Sequence, residues 1–276
     1  MTASIHDLNW CFSTLGCPEL DLTGALDLAA RFNLRRIEIR SLESRVDMPA
    51  YFTEKWKTPA AIQSELTKRN LTIASLDTSM KLIGHKPEDR GALLEFIPWA
   101  EALNVPFLRV FDGGTIDGDL RVEERDEAAE TIRWWRERRS EGGWKVDIMI
   151  ETHNAITSTK AVRGLQAVLD TPVPILWDSH HTWKHKGEDP ADTFDAIRAH
   201  VPHIHVKDSV PNPEKRGGTE YVMPCEGDMP LEGLLSKLAE DDFSGTVSLE
   251  WERMWHPYLA PLADALEHMK GLGWIG

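Results

Sequence analysis

Four apolar segments in the second half of the chain each end in residues that can carry charge or bind a metal ion. They read VDIMIETH, PILWDSHH, HIHVKD and TVSLEWE, and include Glu151, Asp178, His205 and Glu250. A single ionisable residue at the end of a strand is most often a solvated surface group. Because four consecutive segments share the pattern, we interpret their ends as parts of one site.

The alternation of side chains along a strand groups these residues further. Side chains two positions apart lie on the same face, so Glu151 faces the same way as His153, and His205 the same way as Lys207. Carboxylates that converge in a partly dry site repel each other unless a cation lies between them. Carboxylate and imidazole ligands without thiolates suit a borderline to hard ion. We therefore predict one divalent metal ion, with manganese as first choice and cobalt, magnesium or zinc as alternatives.

The elements that must position these residues alternate between strands and helices. The predicted strands are residues 9–15, 36–40, 71–77, 107–111, 146–152, 173–178, 203–207 and 246–251. The predicted helices are residues 22–32, 59–69, 90–103, 122–139, 158–169, 190–200, 231–240 and 259–270. Eight βα units favour a closed barrel over a doubly wound sheet. We predict an α/β fold, a single (β/α)8 TIM barrel over residues 1–276, with its chemistry at the C-terminal ends of the strands.

Two long loops are predicted at that end of the barrel. They follow the second and seventh strands and cover residues 41–58 and 208–230. The second contains Gly217, Gly218 and Gly227, which is compatible with a mobile lid over the site or with a plain surface excursion.

The composition limits the class of partner. The chain has 276 residues and a formal net charge of −14, which would repel a phosphate backbone and argues against nucleic acid as a partner. Cys11, Cys17 and Cys225 form no CxxC pair, which fits a reducing compartment. With no export signal and no run of 18 apolar residues, we expect a cytoplasmic protein with no membrane partner. A homodimer is the default expectation for its assembly.

The motifs resemble those of the xylose isomerase-like TIM barrels, the sugar phosphate isomerase/epimerase family that also includes inosose dehydratase, 3-dehydroshikimate dehydratase and the apurinic endonucleases. The resemblance spans essentially the whole chain. It rests on Glu-x-His at Glu151, Asp-x-x-His at Asp178, His-x-Lys-Asp at His205, and Glu250 at the end of the eighth strand. It implies that these four residues hold the metal ion and that Glu151 and Glu250 also transfer protons.

The resemblance also implies residues that bind substrate. His181 matches a substrate contact, and Arg109 and Lys207 match positions that several members use to hold substrate oxygens. His153 shares a face with Glu151 and is expected to join His181 and Lys207 in a wall of hydrogen-bond donors. A small carbohydrate or polyhydroxylated keto compound is the partner that such a site would bind.

Three further residues have open alternatives. Arg40 ends the second strand, IEIR, where it could bind a carboxylate or phosphate of the substrate or form a salt bridge with Glu38 or Glu43. His203 is expected to be a satisfied histidine inside the barrel, and His180 an exposed neighbour of the functional residues.

A metal ion beside two carboxylates is suited to removal of a proton next to a carbonyl, because the ion stabilises the enediolate that forms. Return of the proton by the second carboxylate gives isomerisation or epimerisation of a sugar or sugar derivative, which is the function we predict. Loss of a β-hydroxyl instead gives dehydration of a keto-sugar, inosose or 3-dehydroshikimate-like compound, and the His-x-Lys motif is similar to that of the dehydratases. A non-catalytic carbohydrate-binding barrel is a remote alternative, and the net charge disfavours phosphodiester cleavage.

Overall fold

Eight parallel strands form one sheet in the computed structural model, which describes residues 4–116 and 120–276. The barrel strands are β1 (Asn9–Phe12), β2 (Arg36–Ile39), β3 (Thr72–Ile83), β4 (Phe107–Gly113), β5 (Asp147–Glu151), β6 (Ile175–Asp178), β7 (His203–Val206) and β10 (Thr246–Leu249). Their order is β1-β10-β7-β6-β5-β4-β3-β2, and a parallel bridge between Ser13 and Glu38 joins the two edges. The predicted (β/α)8 TIM barrel is confirmed.

Helices surround this barrel. Within the described residues they are α1 (Leu22–Arg31), α2 (Met48–Lys55), α3 (Pro59–Arg69), α4 (Pro87–Leu94), α5 (Ile97–Ala102), α6 (Val122–Gly142), α7 (Thr159–Gln166), α8 (Ser179–Lys186), α9 (Pro190–Ile197), α10 (Leu231–Glu240) and α11 (Leu262–Gly271). Several begin at the residues that favour a helix start: the side chains of Asp21, Ser158 and Asp189 accept backbone N–H groups of α1, α7 and α9. In the described part of the chain, no helix has the length and hydropathy needed to cross a bilayer.

The structure differs from the predicted helices and loops in four places. The predicted helix 90–103 is broken into α4 and α5, and Pro98 lies in the first turn of the second. The predicted loop 41–58 contains α2, and α8 follows β6 directly where no helix was predicted. The predicted loop 208–230 contains an antiparallel hairpin of β8 (Asp208–Pro211) and β9 (Thr219–Val222).

Alternation along the strands separates an apolar outer face from a polar inner one. In β5, Ile148 and Ile150 alternate with Met149 and Glu151, and all four are buried. The buried polar residues of the barrel strands include Glu38, Ser75, Asp77, Arg109, Glu151, Asp178, His203, His205 and Ser248. TIM barrels usually fill this space with bulky apolar side chains. Buried polar groups of this number must pair with one another or with a ligand.

A β-bulge in β3 lies beside this polar interior. The register of β3 against β4 shifts between Asp77 and Lys81, which releases the intervening backbone from the ladder. Thr78 Oγ1 donates to the carbonyl of Arg109 at 2.9 Å, and Nη1 of Arg109 donates to the carbonyl of Thr78 at 3.1 Å. Strand β3 therefore runs beyond residue 77, the predicted end, and its irregular part orients an arginine of the site.

Candidate active site

The four predicted metal ligands meet at the C-terminal end of the barrel. Glu151 ends β5, Asp178 ends β6, His205 lies in β7, and Glu250 follows β10. One ligand atom from each lies within 4.8 Å of the others, and all four residues are buried. Three carboxylates and one imidazole in so small a volume are a donor set that could hold a divalent metal ion.

Several of these atoms make no well-directed hydrogen bond with the described residues. They are Oε2 of Glu151, Oδ2 of Asp178 and Nδ1 of His205. Nδ1 of His205 lies 3.4 Å from Oε2 of Glu250 and 4.0 Å from Oε1 of Glu151. Oδ2 of Asp178 and Oε2 of Glu151 have ion-pair contacts instead, with Lys207 and Arg109 respectively. Buried atoms without a well-directed hydrogen bond are rare in folded proteins and call for an explanation. A cation held by these atoms provides one, so the residues fit the predicted metal ion.

The two carboxylate oxygens of Asp178 have different partners. Oδ1 accepts the backbone N–H of His181 at 3.0 Å and so caps α8. Oδ2 lies 3.0 Å from Nδ1 of His181 and 2.7 Å from Nζ of Lys207. Burial raises the pKa of Asp178 to about 7, although the Lys207 ammonium acts in the opposite direction. The cap fixes the carboxylate, and its second oxygen is directed into the cluster.

Glu38, which we did not predict as a site residue, contacts His205 on the side of the ring away from the predicted metal cluster. Nε2 of His205 bonds Oε2 of Glu38 at 2.9 Å, and Nε2 of His203 lies 2.7 Å from the same oxygen. All three side chains are fully or almost fully buried. Burial alone would raise the pKa of Glu38, but the two histidines hold it well below its usual range. This bond leaves Nδ1 of His205 for the cluster, the arrangement in which a carboxylate orients a metal-binding histidine.

We expect Glu38→Gln to weaken metal affinity by about 10- to 100-fold, because the amide no longer fixes the ring and basicity of His205. The measurement is a competitive titration of the divalent ion against a chromophoric chelator. His203→Gln is the matched control, since His203 contacts the same oxygen but is not a predicted ligand. Equal losses in both variants would assign the effect to a general disturbance of the barrel interior.

Lys207 lies among the carboxylates. Its ammonium contacts Oδ2 of Asp178 and Oε1 of Glu252, each at 2.7 Å, and also Oε2 of Glu250. Burial would lower the pKa of Lys207, but Asp178, Glu250 and Glu252 together raise it well above its usual value. Burial likewise opposes ionisation of Glu250, yet Lys207 and then His205 hold its pKa well below the ordinary range. Both groups are charged at neutral pH.

Arg109 orients the other glutamate of the predicted proton-transfer pair. Its Nε lies 3.2 Å from Oε2 of Glu151, and Nη2 lies 3.6 Å from Oδ2 of Asp77. The guanidinium also stacks on Phe111, with Cζ 3.9 Å from the ring centroid. Arg109 is only 2% exposed, so little of its guanidinium is accessible to a substrate. Its shortest ion-pair contact is with Glu151.

His153 and His181 lie side by side at the edge of the cluster. Their ring centroids are 4.9 Å apart, and His153 makes a similar edge contact with Phe111. Asp112 positions His153, because its buried carboxylate accepts backbone N–H groups of His153, Asn154 and Ile156. Burial raises the pKa of Asp112 to about 6, against these hydrogen bonds.

Asp112→Asn is expected to cost about 1–3 kcal/mol of stability, since an amide nitrogen replaces one acceptor and leaves buried backbone N–H groups unpaired. Urea unfolding followed by circular dichroism measures the change. The exposed Asp126→Asn, which removes only a surface ion pair with Arg125, should change stability little. An unchanged unfolding midpoint in Asp112→Asn would contradict this role.

The sequence as a whole matches a family model described as "Xylose isomerase-like TIM barrel" over residues 26–272. The chain belongs to this family. The resemblance inferred from the motifs is confirmed. Comparison with curated protein sequences finds no match.

Three solved structures are similar to this chain over nearly their whole length. The probable 3-DHS dehydratase AsbF from Bacillus anthracis is 20% identical, with 96% of this chain and 98% of that chain covered and a TM-score of 0.78. The IOLI protein with a bound zinc atom is 17% identical, with 95% of each chain covered and a TM-score of 0.73. The 3-keto-D-glucoside 4-epimerase YcjR from E. coli is 12% identical, with 96% and 100% covered and a TM-score of 0.69. At these identities the similarity establishes the fold.

A cleft of about 470 Å³ opens at the C-terminal end of the barrel, beside the cluster of predicted ligands. Its lining includes His181, which contacts Asp178, and Glu252, which contacts Lys207. His153 and His181 form one side, and Tyr221, Glu252 and His256 form another. A volume of this size suits a small ligand. A cavity of about 760 Å³ lies at the opposite, N-terminal end of the barrel, where barrel enzymes of this kind do not place their chemistry.

The hairpin of β8 and β9 supplies one wall of this cleft. Asp208 accepts backbone N–H groups of Ser209, Gly227 and Met229, which ties both ends of the segment together. A Cβ at position 227 would collide with the Asp208 carboxylate, so the close approach requires glycine. Tyr221 lies with its ring 5.7 Å from Nζ of Lys207. The predicted loop 208–230 therefore borders the site, and its motion as a lid stays a prediction.

Two of the open alternatives need correction. His180 is fully buried, not exposed. It packs against Tyr221 of β9, and its Nε2 forms a hydrogen bond with Oγ of Ser209 in β8 at 2.7 Å. Arg40 forms no salt bridge with either predicted acid, since Glu38 contacts the two histidines and Glu43 pairs with Lys55. Arg40 forms no direct ion pair with the four predicted ligands, but the charges of Glu151 and Glu250 are close enough to raise its pKa.

Proposed function

We propose that the protein is a divalent-metal-dependent enzyme that isomerises or epimerises a sugar or sugar derivative by removing a proton next to a carbonyl. The observation that supports it most is the convergence of Glu151, Asp178, His205 and Glu250 within 4.8 Å at the catalytic end of the barrel. Solved barrels with the same fold are described as an epimerase and a probable dehydratase. Both names are compatible with chemistry that begins at carbon beside a carbonyl.

The four residues would hold the ion, and manganese is our first choice. When bound, a divalent ion supplies Lewis-acid polarisation of the substrate carbonyl. Arg109 directs the Glu151 carboxylate, which takes the proton from carbon. Glu250 is ionised in the resting site, so the proton that it returns to carbon comes from the Lys207 ammonium in contact with it. Exchange with water then removes the proton from Glu151 and restores the one on Lys207. His153, His181 and Lys207 bind the hydroxyl and carbonyl oxygens of the substrate in the cleft.

Dehydration is the second candidate, and the position of Lys207 favours it. The ammonium is shared by Asp178, Glu250 and Glu252, so it can also deliver a proton to a departing β-hydroxyl. The first half of the reaction is the same in both cases, namely proton removal by Glu151. Only the fate of the intermediate differs.

The test is exchange of a carbon-bound proton with deuterated water. Protein loaded with manganese, cobalt, magnesium or zinc is incubated with ketoses, 3-keto sugars, an inosose and 3-dehydroshikimate, and label and products are followed by mass spectrometry. We expect metal-dependent uptake of one deuteron. An isomeric product supports isomerisation or epimerisation, and a product lighter by one water supports dehydration. No uptake and no dehydrated product with any compound, at proven metal occupancy, would sink the proposal.

A further inference from the structure

Arg40 is a buried cation that makes no direct ion pair with the described residues. It follows β2 at the catalytic end of the barrel and is only 7% exposed. Nη1 donates to the carbonyl oxygen of Asp77 at 3.4 Å, and Nη2 donates to the hydroxyl of Ser79 at 3.2 Å. Both acceptors are neutral, and both hydrogen bonds are long for N–H···O contacts. Among residues 4–116 and 120–276, no carboxylate lies within ion-pairing distance of this guanidinium.

The contrast with its neighbour Arg109 shows that the arrangement is unusual. Arg109 is also buried but forms ion pairs with Glu151 and Asp77. Burial, followed by repulsion from Arg109, lowers the pKa of Arg40 to about 10. The carboxylates of Asp77, Glu151 and Glu250 act in the opposite direction from a distance. A desolvated charge without a direct ion pair still destabilises a protein unless something offsets it. A ligand that carries a negative charge would do so.

Arg40 is connected to the cleft through the rings of Phe111 and His153. Cζ of Arg40 is 5.9 Å from the centroid of Phe111, the ring on which Arg109 stacks. Phe111 in turn contacts His153, which lines the cleft. A ligand that extends from the cluster past His153 and Phe111 therefore approaches Arg40. The other side of the cleft contains Glu252 and would not favour an anion.

We propose that Arg40 binds the carboxylate of an acidic, sugar-derived substrate whose carbonyl end reaches Glu151 and Glu250. This rests on the proposed function and names its substrate class. One guanidinium presents two parallel N–H donors, which match the two oxygens of a carboxylate. A phosphate dianion carries more charge than a single arginine balances, and Arg109 is already occupied by Glu151 and Asp77.

The test compares three ligands with the same six-carbon chain: D-gluconate, D-glucitol and D-glucitol 6-phosphate. Their binding to manganese-loaded and chelator-treated protein is measured by isothermal titration calorimetry. The variant is Arg40→Gln. The matched control is Arg36→Gln, at the other end of the same strand, where the guanidinium bonds Thr246 away from the cleft.

We expect gluconate to bind more tightly than glucitol, and Arg40→Gln to weaken gluconate roughly 10- to 100-fold while leaving glucitol unchanged. Arg36→Gln should bind all three as the wild type does. Gluconate binding that is absent, or that Arg40→Gln does not change, overturns the proposal. An Arg40-dependent preference for the phosphate overturns its carboxylate part and assigns a phosphorylated substrate.

The deuterium experiment separates this inference from the proposed function. 3-Dehydroshikimate carries a carboxylate and an inosose does not. Exchange with the neutral ketones alone, insensitive to Arg40→Gln, contradicts the acidic substrate and leaves the proton-transfer function intact. Neither exchange nor dehydration with any compound, together with Arg40-dependent binding of gluconate, contradicts the function and leaves Arg40 as a carboxylate-binding residue.

Discussion

Replacement of Glu151 by glutamine is expected to slow deuterium uptake by the substrate by about 10²- to 10⁴-fold, the range found when a general base is removed. The change is nearly isosteric and keeps an oxygen in the cluster, but an amide cannot accept a proton from carbon. The contact between Arg109 and Glu151 also loses its charge. The rate is measured in deuterated water at saturating metal, with metal content determined for each variant.

Glu250→Gln distinguishes the two glutamates. Both variants should lose turnover, but if Glu151 is the base, Glu250→Gln retains more exchange than product formation. The control is Glu124→Gln, a buried glutamate that bonds Thr115 outside the barrel interior and should keep wild-type exchange. If Glu151→Gln and Glu250→Gln both stay active, the acid–base assignment is wrong.

The predicted ligands could be found from the sequence because each lies at or near the end of an apolar run. Parallel strands of one barrel bring such ends to a single face, so the order of the strands is enough to group Glu151, Asp178, His205 and Glu250. The alternation of side chains then added Lys207 to the same group. No long-range information beyond the closed barrel was needed.

Glu38 could not be assigned in this way. Strands β2 and β7 are not neighbours in the sheet, so the contact between Glu38 and His205 crosses the interior and depends on how the barrel closes. The only local indication is a carboxylate between Ile37 and Ile39 in a short strand, which equally suited a salt bridge with Arg40. Contacts across a barrel are set by its curvature and diameter, which periodicity does not encode.

Helix α8 was not predicted for a related reason. Its sequence, SHHTWKHK, has no apolar stripe, and short helices owe most of their stability to tertiary packing. It forms because Asp178 caps its first turn and because Ser179 and Thr182 are buried against the barrel, with Oγ of Ser179 bonded to the carbonyl of His205. The elements that differ most from the prediction lie around the site, where packing overrides local preference.

Lys207→Met is expected to destabilise the metal-free protein by about 3–5 kcal/mol, the cost of removing one partner from a buried ion cluster. Methionine keeps the length of the side chain, but Asp178, Glu250 and Glu252 then face one another without the ammonium. A divalent ion held by Asp178 and Glu250 would restore the balance. Saturating metal should therefore recover much of the lost stability, and the metal-induced rise in melting temperature should be larger in the variant than in the wild type.

The chain offers a matched control for this prediction. Lys237 also contacts two carboxylates, Asp195 at 2.9 Å and Asp241 at 2.7 Å, but on the protein surface. Because water screens such contacts, Lys237→Met should change stability little, with or without metal. Urea unfolding of both variants, in chelator and in excess manganese, measures the four free energies of unfolding. If Lys207→Met is no less stable than Lys237→Met in chelator, the ammonium is not the counter-ion of these carboxylates. If metal stabilises both variants equally, the ion does not bind where Lys207 lies, and the ligand set must be sought elsewhere in the barrel.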